Sequence, residues 1–185
     1  LSITAATQLE SNQANAGFGY SVASAGDVNG DGYSDVIVGA YFYSNGQYKE
    51  GATFIYHGSA SGLSTTAATQ LESNQAYASF GYSVASAGDV NGDGYSDVIV
   101  GAYAYDNGQT NEGAAFIYHG SAFGLSTTAA TFLESDQASA EFGFSVASAG
   151  DVNGDGYSDV IVGARFYDNG QNNEGAAFIY RGSAI

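Results

Sequence analysis

At 185 residues, with nineteen acidic side chains against three basic ones, the chain carries a formal net charge of −16. That balance excludes a nucleic-acid-binding face, which needs clustered Lys and Arg, and it disfavours an anionic membrane surface. The absence of Cys excludes disulfides, thiolate chemistry and Cys-type zinc sites. Hydrophobic residues make up 44%, enough for a core, and the apolar runs are only a few residues long, so no membrane insertion is expected. The chain begins at Leu1 without Met and shows no leader-like segment, which reads as a processed product or an excised piece.

In chain order, "TAATQLES" at 4–11 predicts a short extended run. "FGYSVASAG" at 18–26 predicts a second strand, with Tyr20 and Val22 alternating against Ser21 and Ala23; its small side chains suit a crowded inner position. An acidic turn, "DVNGDGYSD", fills 27–35. A third strand is expected over 34–41, "SDVIVGAY", and a fourth over 51–58, "GATFIYHG". Turn signals, "SNGQ" and "GSASGLS", separate the strands, and no segment sustains an apolar period of 3.6 residues. The whole pattern then recurs. Residues 1–62 and 63–124 differ at nine positions, and 63–123 differ from 125–185 at ten. The expected units are therefore 1–62, 63–124 and 125–185. Four short strands per unit predict an all-β fold, a β-propeller of four-stranded antiparallel blades. A β-solenoid has shorter repeats as a rule, and a plain sandwich has no reason to repeat.

The acidic turn is the strongest chemical signal. It occurs letter for letter at 27–35, 89–97 and 151–159, and its three Asp account for nine of the nineteen acids. Positions 1, 3, 5 and 9 are Asp27, Asn29, Asp31 and Asp35, and position 7, Tyr33, offers its carbonyl. The equivalents are Asp89, Asn91, Asp93, Tyr95 and Asp97, then Asp151, Asn153, Asp155, Tyr157 and Asp159. Gly32 permits the chain reversal. Three carboxylates, an amide oxygen, a carbonyl and water match the six to eight oxygens that Ca²⁺ takes at about 2.3–2.6 Å; Mg²⁺ demands stricter geometry. The expectation is one Ca²⁺ per repeat, three per chain. The first half of the loop follows the EF-hand pattern, but position 12 is Val38 rather than Glu, and the following residues read as a strand. An unmetallated Asx-rich turn is the plainer alternative, and three mutually repelling carboxylates in nine residues weigh against it.

Each acidic loop follows Phe-Gly (Phe18-Gly19, Phe80-Gly81, Phe142-Gly143) and precedes Gly-Ala (Gly39-Ala40, Gly101-Ala102, Gly163-Ala164). This combination resembles the FG-GAP repeat of integrin α-subunit propellers over the whole chain. One departure is that the family's Pro after Gly-Ala is replaced by Tyr41, Tyr103 and Arg165. The resemblance implies a propeller, usually of seven blades. It places the calcium loop between the first and second strands of each blade, opposite the ligand face, with structural rather than catalytic ions. It also implies an extracellular or cell-surface location.

Three units do not close a ring. The phase of the repeat makes 1–10 the outer strand of a blade and leaves the last blade one strand short. Strand exchange between chain ends is therefore expected, giving a homo-oligomer: a dimer of six blades or a trimer of nine. A fragment of a longer array, or an engineered repeat protein, fits the same near-identity of units.

No catalytic constellation is present. His57 and His119 become Arg181 in the third unit, and no nucleophile motif surrounds any Ser. Glu10, Glu72 and Glu134 in "LES", and Glu50, Glu112 and Glu174 in "EG", read as turn or strand-end residues, with Glu112 and its equivalents able to accept from loop amides. The units differ mainly in the loops before Phe-Gly and after Gly-Ala. The second is aromatic, so Tyr41, Tyr43, Tyr103, Tyr105, Arg165 and Tyr167 form a candidate face for a glycan or protein ligand. A scaffold with no ligand besides Ca²⁺ is the rival reading, and faster drift of loops is a plainer cause of the variation.

Overall fold

The computed structural model describes residues 2–184. Eleven strands are present: β1 Phe18–Gly26, β2 Asp35–Ala40, β3 Ala52–Tyr56, β4 Thr69–Glu72, β5 Ser83–Gly88, β6 Asp97–Ala102, β7 Ala114–Tyr118, β8 Thr131–Glu134, β9 Phe142–Gly150, β10 Asp159–Ala164 and β11 Ala176–Tyr180. They form three antiparallel meanders in the orders β1-β2-β3-β4, β5-β6-β7-β8 and β9-β10-β11. These are three blades of a β-propeller, as the repeat predicts, and no helix occurs among the described residues. The fourth strand of a sheet comes from the opening residues of the next sequence unit, so each sheet is out of phase with the sequence repeat.

The run at 4–11 is a correction. Its equivalents become β4 and β8, but 4–11 itself has no strand structure. The reason is a missing partner. Thr53 pairs with Leu71 and Ala115 with Leu133, whereas no third strand precedes Leu9 among the described residues. An isolated short segment does not hold an extended conformation without a ladder.

The core lies between blades. Ile37, Ile55 and Leu71 of blade 1 pack with Phe80, Val98 and Val100 of blade 2, and Val160, Val162 and Phe142 repeat the arrangement against blade 2 from blade 3. Phe80 and Phe142 are fully buried, and they are the Phe of Phe-Gly. The Gly of Gly-Ala explains why neighbouring sheets come so close. A Cβ on Gly39 would stand 2.0 Å from the carbonyl oxygen of Gly81, and one on Gly101 the same from Gly143. No side chain fits there, so the two glycines of the motif mark the line where blades touch.

A polar clamp recurs before each Phe-Gly. The Gln75 amide donates to the Asp106 carbonyl at 2.9 Å and accepts from the Asp106 N–H at 2.7 Å, and Gln13–Ser44 and Gln137–Asp168 repeat it. Each side chain thus imitates one rung of a ladder and ties the segment before Phe-Gly to the loop after Gly-Ala.

Candidate metal loops and the aromatic end of the blades

Strand direction separates two candidate sites. Gly26 pairs with Asp35 at one end of the β1–β2 ladder, and Phe18 with Ala40 at the other. The acidic loops therefore cap one end of the sheets, and the Phe-Gly and Gly-Ala segments lie at the opposite end.

Each acidic loop is laced by its own side chains. Asp27 Oδ1 accepts from the N–H of Gly30 (2.7 Å) and Asp31 (3.1 Å), and Oδ2 from Gly32 (2.8 Å). Asn29 Oδ1 accepts from Asp31 N–H, Asp31 Oδ1 accepts from Tyr33 N–H, and the Asn29 amide donates to Asp31 Oδ2 at 3.1 Å. The loops at 89 and 151 reproduce this network. Gly32, at φ 88°, supplies the left-handed turn expected of it. The N–H groups around Asp151, Gly156 foremost, hold its carboxyl below the usual Asp range, so the head group stays charged.

Position 9 is different. Asp35 is fully buried. Its Oδ2 accepts from Val28 N–H at 2.9 Å and its Oδ1 from Gly58 N–H at 2.9 Å, so it joins the loop to the end of β3. Asp97 and Asp159 do the same. Burial pushes the Asp97 carboxyl up, against the opposing pull of the Val90 and Gly120 N–H groups. The loops also contact each other across blades: Ser96 N–H donates to the Asp27 carbonyl, and Ser121 N–H to the Val28 carbonyl, both at 3.0 Å.

The structure thus brings Asn29 and Asp31 head to head and holds Asp27 against the backbone. It does not gather the carboxylates of positions 1, 5 and 9 within 4.8 Å in any loop among the described residues. The donor set still fits a hard cation. Every candidate ligand is an oxygen, and the hydrogen-bonded carboxylates keep further lone pairs for an ion.

A family model for the FG-GAP repeat matches residues 18–56, 80–118 and 142–180, the three stretches that run from Phe-Gly through the acidic loop to the third strand. The chain belongs to the FG-GAP repeat family. It is 36% identical over 158 residues to rat integrin alpha-7, which covers 84% of this chain and 13% of that protein. It is 33% identical over 177 residues to Xenopus laevis integrin alpha-5 (91% of this chain, 16% of that protein) and 38% over 149 residues to human integrin alpha-6 (80% and 12%). The chain spans about an eighth of the length of the curated relatives it matches.

At the opposite end of the FG-GAP blades, the six predicted ligand-face residues divide into two groups. Tyr43, Tyr105 and Tyr167 lie over the core. Their rings meet Phe54, Phe116 and Phe178 edge-on at centroid distances of 5.3, 5.4 and 5.1 Å. All three are half-buried, as Tyr41 and Tyr103 also are. Tyr41, Tyr103 and Arg165 instead join residues that the sequence reading did not select: Tyr20, Tyr82 and Phe144, each directly after Phe-Gly. Together they make a ribbon across three blades. Tyr20–Tyr41 centroids are 4.6 Å apart, Tyr20–Tyr82 4.8 Å, Tyr82–Tyr103 4.6 Å and Tyr82–Phe144 5.0 Å, and the Arg165 guanidinium covers the Phe144 ring at 4.1 Å. Tyr20 and Tyr82 hydroxyls are hydrogen-bonded at 2.8 Å. Burial, then Tyr20, pushes the Tyr82 phenol up to about 12. Arg165 also pairs with Glu141. The signal that could have found the ribbon is the recurrence of an aromatic at 20, 82 and 144 beside a strand of small residues.

A third feature is acidic. Glu112 is fully buried and accepts, through Oε1, from the N–H groups of Asn107 and Gln109, as the sequence allowed. One carboxylate oxygen from each of Glu112, Glu134 and Asp136 lies within 4.8 Å of the others.

Proposed function

We propose that the chain is a calcium-braced, integrin-like propeller module, non-enzymatic, from an extracellular or cell-surface protein, that binds a glycan or protein ligand through its aromatic end. The carrying observation is the acidic loop, present three times with one hydrogen-bond network, its buried Asp tied to the third strand and its backbone to the next blade. Asp27, Asn29, Asp31, the Tyr33 carbonyl and Asp35 would hold one Ca²⁺, and the matching residues two more. Bound there, the ion adds charge neutralisation to loops that already connect blades. Saturating Ca²⁺ at a hundredfold excess over Kd contributes about 2.7 kcal/mol per site. Thermal unfolding with Ca²⁺ and with chelator tests the reading, and an unchanged midpoint would overturn it.

The ligand face rests on Tyr20, Tyr41, Tyr82, Tyr103 and Arg165, since packed rings offer wide contact at low entropic cost. Screening on a glycan array with the parent and a Tyr41→Ala/Tyr103→Ala variant tests it. Binding that survives the double substitution removes the ribbon from the site.

The outer edge of β11, unpaired among the described residues, favours one assembly reading. Thr7–Glu10 has the sequence of β4, TQLE, and pairs with nothing among the described residues. Pairing of that segment with β11 of a second copy would complete the third sheet and remove an exposed edge. Mass in solution with and without residues 1–10 tests it, and an unchanged mass would exclude exchange.

A further inference from the structure

The acidic loops do not exhaust the cation-binding chemistry of this chain. We propose a further divalent-cation site in blade 2, at the end opposite the acidic loops, formed by Glu112, Glu134 and Asp136 with Gln109 beside them. Strand pairing builds it. The β7–β8 ladder ends at Ala114 and Glu134, and Glu112 and Asp136 lie in the connections just beyond that end. The three carboxylates are thereby brought within 4.8 Å of one another. Two oxygens on opposite sides of one Ca²⁺ are about 4.6–5.2 Å apart at its usual bond lengths, so a single ion of that size can bridge the group.

A second observation, separate from the clustering, points to a ligand. Glu112 is wholly buried, and while its Oε1 is held by two N–H groups, its Oε2 has no hydrogen-bond partner. The Gln109 Oε1 is a second buried acceptor with no partner. A buried carboxylate oxygen needs a hydrogen bond or a positive charge. No basic side chain supplies one: the chain has three Lys and Arg and two His, and the sole salt bridge among the described residues joins Arg165 to Glu141. A cation from solution would supply that charge, and an all-oxygen donor set selects a hard ion such as Ca²⁺.

Blade 1 shows why Asp136 matters. Glu50 repeats Glu112, fully buried and with Oε2 unpartnered, and Asn45 donates to Glu72 as Asn107 does to Glu134. The residue at the position of Asp136 is Asn74, so blade 1 has two carboxylates where blade 2 has three. In blade 3 the equivalent Glu174 is exposed, with no fourth strand among the described residues to bring it partners. Three units of near-identical sequence thus hold one strong site, one weakened site and one open site.

The test counts Ca²⁺ bound to the full chain by equilibrium dialysis. Glu134→Gln/Asp136→Asn should bind one ion fewer than the parent, with unchanged circular dichroism. Those positions are partly exposed, and Glu112 is left intact because it also organises its loop. Asn74→Asp should restore the third carboxylate in blade 1 and add one ion, or tighten one at least tenfold. Asp31→Asn/Asp93→Asn/Asp155→Asn, which weakens only the acidic loops, should leave the blade 2 ion bound. If the acidic loops bind nothing, the parent count falls to one and the blade 2 double variant to zero, and this site stands without them. Equal counts in the parent and the blade 2 double variant overturn the proposal.

Discussion

β7 and β11 carry the same five residues, Ala-Ala-Phe-Ile-Tyr, in the same register against β6 and β10. All five are buried in β7, whereas in β11 they alternate between half-buried and exposed; Ile117 is 6% exposed and Ile179 55%. Identical local sequence thus gives identical hydrogen bonding and very different burial. The difference comes from the flanks. β7 has β8 on its outer edge and blade 3 against its face, while β11 has neither a fourth strand nor a following blade among the described residues. In stacked repeats, stability divides into what a unit contributes alone and what each interface adds. Here the hydrophobic contribution sits mainly in the interfaces.

The largest effect that follows concerns the Phe of Phe-Gly. Phe80 is fully buried between blades 1 and 2, and Phe18, its equivalent, has no preceding blade among the described residues and is half-buried. Phe80→Ala should cost about 3–5 kcal/mol in denaturant unfolding, in line with aromatic truncation in a core. Phe18→Ala should cost less than half as much. Equal losses would mean that stability resides within the blades, and the comparison would fail.

Next comes the isoleucine pair itself. Ile117→Ala should destabilise by about 2–5 kcal/mol, and Ile179→Ala by less than about 1 kcal/mol, close to a surface change. Any added strand on β11 raises the second value, so repeating the measurement at higher protein concentration, where copies associate, sharpens the contrast. A concentration-independent loss at Ile179 would count against pairing of β11 with a second copy.

The same division separates what the sequence revealed from what it hid. Strands, the Asp turns and their order within a blade depend on residues near one another, and alternation and Gly placement made them legible. The buried role of Asp35 was not legible, because its partners Val28 and Gly58 are backbone groups, one of them 23 residues away. Its position in the loop carries no sign of those two contacts. Tyr43 and Tyr41 could not be told apart either. Both follow Gly-Ala, and only the fold shows that one ring lies on Phe54 and the other on Tyr20 and Tyr82. The carboxylates of Glu112 and Asp136 are 24 positions apart and meet only because β7 and β8 pair between them. The unpaired state of 4–11 depends on a neighbour that the segment lacks, while its own residues are those of a strand.

A smaller effect tests the polar clamps between blades. Gln75 bridges to Asp106 with two hydrogen bonds and leaves no charge behind when removed. Gln75→Ala should cost about 1–2 kcal/mol, since each bond contributes about 0.5–1.5 kcal/mol net. Gln13→Ala, at the junction that lacks a preceding blade, should cost less, because the loop it holds has less packed against it. Denaturant midpoints for the two variants at matched slope provide the measurement. A Gln13 loss equal to the Gln75 loss would mean that the clamp organises its own loop only.

The smallest effect lies in the aromatic ribbon, where blade 2 has Tyr82 and blade 3 has Phe144. The hydroxyl pair Tyr20–Tyr82 therefore has no continuation into blade 3, and Arg165 covers Phe144 instead. The Tyr82 phenol is raised from 10.0 to about 12, first by burial and then by its hydrogen bond to Tyr20. A raised folded value means that the folded chain keeps this proton longer than the unfolded one. Its contribution to stability is thus complete below pH 10 and is lost as pH rises toward 12. Tyr20→Phe keeps the ring and removes the hydroxyl, so the Tyr82 titration should move back toward 10 with little change in unfolding at neutral pH. Phenolate absorbance of the variant, set against that of Tyr82→Phe, identifies which late-titrating group has moved. A late titration that persists in Tyr20→Phe would show that burial alone holds the Tyr82 proton. The ribbon would then be a row of packed rings, with no hydrogen-bonded link between blades 1 and 2.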